Sequence, residues 1–104
     1  MRNIAQQLTD KEIVNVLECL NLVLIEDLFE EWEFETLFGV ERASYFKLKH
    51  SWPNVDIDDI NVENMLMNAM NNSLGYPWGN EKMWKQYFSA TPKEVEDTLK
   101  KLFF

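Results

Sequence analysis

The amino-acid sequence predicts an all-α protein, a compact single domain of five or six short helices spanning residues 1–104. Three observations point there. Two S/T-x-x-E capping boxes, Thr9-Asp10-Lys11-Glu12 and Thr91-Pro92-Lys93-Glu94, each announce a helix start. Apolar residues behind them recur at three- and four-residue spacing. No second clear strand is visible to pair with the one segment that alternates, residues 45–50, and a lone strand cannot satisfy its backbone. The structural alternative is an α+β fold with a small hairpin, using residues 45–50 and 22–25 as its strands. With 46% apolar residues and 13% aromatics, the chain has the surface to offset its ordering entropy and to fold alone as one domain.

In chain order, Ile13, Val16, Leu17 and Leu20 give the first helix its apolar stripe, with Asn21 as the expected interruption. From Ile25 a second helix sets Ile25, Leu28, Phe29, Trp32 and Thr36 on one side. Glu26, Asp27, Glu30, Glu31, Glu33 and Glu35 cover the rest, with no basic residue in the stretch to pair with them. Gly39 ends it. Residues 40–51 read as a third helix on Val40, Ala43, Tyr45 and Leu48, and Trp52-Pro53-Asn54 breaks the chain. Asp56, Asp58, Asp59 and Asn61 sit where a fourth helix should begin, with Ile60, Met65, Leu66, Ala69 and Met70 behind them. Leu74-Gly75 closes that helix, and Tyr76-Pro77-Trp78-Gly79-Asn80 forms an aromatic turn, with Gly79 free to take a positive φ. A short helix with Met83, Trp84, Tyr87 and Phe88 follows. The last helix has proline at its first position and buries Val95, Leu99, Leu102 and Phe103.

Charge is unevenly placed. The net charge of −8 resides entirely in residues 1–41, which hold ten acids against Arg2 and Lys11; the other 63 residues carry eight of each sign. Such a field repels phosphate backbones and anionic membranes and attracts a basic protein. Cys19 is the only cysteine, which excludes an intramolecular disulfide and suits a reducing compartment. The N-terminal residues lack a signal-peptide h-region and no run approaches a membrane span, so the expected address is cytoplasmic.

No motif identifies an enzyme. Cys19 and His50 are the sole thiol and imidazole, with no spacing that supports a dyad, and a zinc site would need further ligands. Asp56-Ile57-Asp58-Asp59 fails as an EF-hand loop: taking Asp56 as position 1 places Ile60 at 5, Asn61 at 6 and Met67 at 12. Helix capping is the better reading of these carboxylates. Neither a cofactor nor a metal is expected.

Two segments suggest interaction. In residues 29–38, FEEWEFETLF, Phe34 falls among carboxylates, where it would serve as the aromatic anchor of an acidic interface. The partner-binding candidates are Glu26, Asp27, Glu30, Glu31, Glu33, Phe34 and Glu35, with Trp78 of the Pro-Trp-Gly turn as a secondary contact. In size, isoelectric point and charge distribution, with the likeness carried by residues 26–41, the chain resembles the small acidic immunity proteins with which bacteria neutralise nuclease toxins, including those of contact-dependent inhibition systems. That resemblance implies a monomeric, non-enzymatic inhibitor of a basic toxin domain. The alternative function is a helix-turn-helix DNA-binding regulator using residues 31–50. Residues 37–46, LFGVERASYF, resemble that family's turn and recognition helix, with Phe34, Phe38, Val40, Tyr45 and Leu48 at its apolar positions. Under that reading Phe34 is an inter-helix contact. Glu35 stands where the family has a small residue, and the acidic neighbourhood opposes binding to phosphates.

Overall fold

The computed structural model describes residues 2–25, 34, 36, 40–76 and 78–104. Five α-helices lie among them: α1 (Asp10–Val23), α2 (Arg42–Ser51), α3 (Ile60–Gly75), α4 (Glu81–Lys85) and α5 (Pro92–Phe103). A single 3-10 turn, Ile4–Gln6, precedes them. No strand occurs among the described residues; one isolated antiparallel bridge joins Asn3 to Asp56. The fold is all-α. The α+β alternative is corrected at both of its proposed strands, because residues 45–50 lie inside α2 and Leu22 and Val23 continue α1. Asn21 does not interrupt α1: its side chain is exposed, so the polar group stays solvated while the backbone remains helical.

Local chemistry starts the helices as expected. Thr9 accepts from the Glu12 amide at 3.2 Å while its own amide donates to Glu12 Oε1 at 2.8 Å. The reciprocal pair recurs at Thr91 and Glu94. Asp59 caps α3 through the Asn61 amide at 2.9 Å. Asp56 accepts from the Asp58 amide, and Asp58 in turn pairs with Arg2 at 2.6 Å. The aspartate cluster is thus occupied with capping and with tying the N-terminal segment down. α4 ends earlier than the spacing predicts, at Lys85, and places Tyr87 in a turn. Phe88 is nevertheless buried, its ring stacked 4.1 Å from Trp84.

α1, α3 and α5 pack on one another, and α2 packs on α1. Val16, Cys19, Leu20 and Val23 meet Leu66, Ala69 and Met70, with Val95 and Leu99 closing the third side. Tyr45 brings α2 into this core: its hydroxyl donates to the Met65 carbonyl at 3.0 Å. The Trp52 indole donates to the Ile13 carbonyl at 3.1 Å, fixing the far end of α2 against α1. The radius of gyration, 12.9 Å, matches the ~13 Å of a compact domain of about 100 residues.

The helix starts also set the pH response. Burial opposes ionisation of Glu12, but bonds from Lys101 and Thr9 outweigh it and lower its pKa below the ordinary 4.5. A bond from Lys11 lowers Glu94, and one from Arg2 lowers Asp58 below 3.8. A carboxylate with a depressed native pKa stabilises the fold above its unfolded pKa and loses that contribution as pH falls through the native value. Stability to urea should therefore decline once pH drops below the mid-fours. Glu12→Gln and Glu94→Gln should each flatten the decline, and an unchanged slope in both would contradict this account.

Candidate functional site: an acidic stretch and an aromatic cluster

Of the expected partner-binding residues, Glu26, Asp27, Glu30, Glu31, Glu33 and Glu35 lie outside the described residues. Phe34 and Trp78 lie within them.

Phe34 is 1% exposed, and its expected place as an exposed anchor is corrected. Its ring meets Tyr45 edge-on, with centroids 5.7 Å apart at 86°, and the Arg42 guanidinium lies 4.5 Å above it. The side chain is therefore covered from α2 by an aromatic edge and a cation. Arg42 also donates to the Val23 carbonyl at 3.4 Å, connecting the same corner to the end of α1. The helix-turn-helix likeness makes Phe34 an inter-helix contact, and in the structure its ring meets Tyr45 of α2.

Trp78 is partly exposed and sits at the centre of an aromatic cluster that sequence spacing did not reveal. Its indole donates to the Ser73 carbonyl at 2.8 Å. Around the ring stand Tyr76 at 4.7 Å, Trp84 at 5.3 Å, Tyr87 at 5.6 Å and Phe88 at 5.8 Å between centroids. The Trp84 indole is likewise satisfied, donating to the Ala90 carbonyl at 2.7 Å. Gly79, at φ 76°, turns the chain in the left-handed region just after Trp78, as the turn chemistry predicts. An open pocket of about 320 Å³ lies beside the two indoles, lined by Trp78, Gly79, Asn80, Glu81, Trp84 and Pro92.

Cys19 is fully buried, and burial pushes its thiol up to about 12, so it is protonated at neutral pH. His50 is exposed on α2. Among the described residues no group of three or more His, Cys, Asp or Glu side chains could hold a metal ion. Nor is any helix among them long and apolar enough to cross a membrane. Met65 and Met70 are buried in the core, and Met67 packs against it partly buried, so the methionines of α3 serve mainly in packing.

The charges on the described surface are largely paired. Arg2, Lys11, Lys85, Lys93, Lys100 and Lys101 bond to Asp58, Glu94, Glu81, Asp97, Glu96 and Glu12. Six of the ten bases are thereby committed outside residues 26–41; were all of the other four, Arg42, Lys47, Lys49 and Lys82, set against the seven acids of that stretch, three acids would still be in excess. α2 exposes the opposite charge: Phe46, 54% exposed, stands beside Lys47, Lys49 and His50, with no acidic residue inside the helix. A wider groove of about 970 Å³ runs between α3 and α5 over Leu74, Pro92, Leu99 and Phe104, and its two lysines, Lys93 and Lys100, already face Asp97 and Glu96.

Compared with protein-family models, with curated proteins and with solved structures, the chain finds no match.

Proposed function

We propose that this protein is a non-enzymatic inhibitor that binds a basic protein, in the manner of a toxin-immunity protein that neutralises a nuclease. The observation that carries the reading is the distribution of charge. Seven acids lie within residues 26–41, and six of the chain's ten bases are paired elsewhere. Whatever the remaining four do, a net negative field persists over that stretch, and such a field steers a basic partner toward it. Since Phe34 is buried, the aromatic contact falls to Trp78, whose ring is partly exposed on a fixed platform.

A second reading draws on a separate observation. The Phe34–Tyr45 contact and the basic, aromatic outer face of α2 are features of a helix-turn-helix recognition element. The two readings separate in one experiment. Immobilised protein is offered host proteins and the products of neighbouring genes, then eluted with rising salt; in parallel it is titrated with duplex DNA at low salt. The proposed function expects a basic protein that elutes with salt and is held less tightly, eluting at lower salt, by a Glu30→Gln, Glu31→Gln, Glu33→Gln, Glu35→Gln variant. Duplex binding that falls steeply with salt and is lost on Lys47→Ala with Lys49→Ala would instead establish the second reading.

A further inference from the structure

We propose that the outer face of α2 docks a short acidic segment of a second protein, with an apolar side chain of that segment against Phe46 and its carboxylates against Lys47 and Lys49. This surface is opposite in sign to the one in the proposed function and uses none of residues 26–41. It is the face that the helix-turn-helix reading assigns to DNA.

Tyr45 and Leu48 are buried, so helical spacing sets Ala43, Phe46, Lys47 and His50 on the opposite side of α2, with Lys49 next to Phe46 at i,i+3. All five are exposed, Phe46 at 54%. Six other bases of the chain sit against carboxylates, whereas Lys47 and Lys49 pair with none among the described residues. Lys49 and His50 lie in the last turn, where the helix dipole favours positive charge. The dipole accounts neither for Lys47 nor for the exposed ring beside it. A half-exposed phenyl ring flanked by two unpaired ammonium groups offers apolar area and positive charge together, and an acidic, partly apolar segment complements both. Ala43, one turn before Phe46 and Lys47, projects only a methyl group, which leaves such a segment room to reach the ring.

Nucleic acid fits this face less well. Its exposed side carries no arginine, asparagine or glutamine, the planar side chains that read base edges through paired hydrogen bonds. Arg42, the one arginine of α2, is half-buried and engaged with the Phe34 ring and the Val23 carbonyl. A single strand is gripped by successive stacking platforms, and α2 exposes one phenyl ring. The net charge of −8 also opposes a phosphate backbone, whose contacts extend over many charges. A segment with a few carboxylates meets Lys47 and Lys49 at short range and suffers less from that field.

The probe is a peptide blocked at both ends, Asp-Glu-Leu-Leu-Glu-Asp, and the readout is the backbone amide signals of α2 in a nitrogen-15 spectrum of the full chain. One control peptide replaces the acids by their amides, and another replaces the leucines by serine. The probe should shift α2 signals saturably at millimolar concentration, and each control should bind about fivefold more weakly. Lys47→Gln with Lys49→Gln should abolish the advantage of the probe over the amide control, and Phe46→Ser its advantage over the serine control. These substitutions alter exposed side chains, so both melting midpoints should match wild type; should Phe46→Ser melt early, the lysine variant carries the test. Shifts confined to residues outside α2, a control peptide that binds as well as the probe, or an affinity unchanged in the lysine variant would each overturn the proposal. Tighter binding of a short DNA duplex or deoxythymidylate strand than of the probe would overturn it too, giving the face to nucleic acid. So would self-association of the chain that is abolished in the lysine variant, giving the face to a second copy.

Discussion

Phe34→Ala should destabilise the isolated protein by about 3–5 kcal/mol, the usual range for emptying a buried aromatic site. The ring is enclosed, and it joins two things at once: the edge of Tyr45 and the guanidinium of Arg42. Tyr45 is itself anchored to α3 through Met65, so loss of the ring loosens the corner where α2 meets the rest of the core. For a domain of this size the change corresponds to a fall in Tm of roughly 15 °C or more. Phe34→Leu, which keeps much of the volume, should fall markedly less. A shift below about 1 kcal/mol for the alanine variant would mean that Phe34 is not a core residue. The same substitution is unsuited to mapping an interface, because any loss of binding would follow from loss of fold.

The second large effect is kinetic. Changing Glu30, Glu31, Glu33 and Glu35 together to glutamine keeps side-chain size and removes four of the seven negative charges of residues 26–41. Association with a basic partner should slow by about tenfold or more at low ionic strength, the lower end of what electrostatic steering supplies. Dissociation should change far less, since steering charges act on encounter more than on the docked complex. The thermal midpoint of the variant should stay within a few degrees of wild type. A loss of affinity carried wholly by faster dissociation would place the glutamates inside the contact instead of around it.

Much of the fold was legible because its signals are local. A threonine and a glutamate three residues apart, an aspartate before an apolar stripe, or a glycine after an aromatic turn each acts within one helical turn, and all appear where the spacing puts them. What escaped depends on contacts between distant segments. Phe34 reads as an exposed anchor because its sequence neighbours are carboxylates, and as an inter-helix contact only under the helix-turn-helix likeness. It is buried because Tyr45 and Arg42 cover it from another helix, and neither is visible from the helical period of residues 25–36. Asn21 looked like a break, yet a polar side chain on an outward face need not interrupt a helix. Tyr87 and Phe88 continued the expected spacing of α4, but the stacking of Phe88 on Trp84 is made after the helix has already ended. The aromatic cluster draws on the end of α3, the turn, α4 and the approach to α5. Its only sequence signal is the density of rings between residues 76 and 88.

The central claim is that the acidic stretch is a surface for steering a basic partner. Its most direct test is the association rate of the captured partner, measured by stopped flow across ionic strengths from about 20 to 500 mM for wild type and the fourfold glutamine variant. The account predicts a steep fall with salt for wild type, a much shallower one for the variant, and convergence of the two rates at high salt, where a Debye length of about 4 Å or less screens the field. Parallel curves, with wild type and variant equally sensitive to salt, would contradict it, because residues 30–35 would then contribute nothing to the encounter.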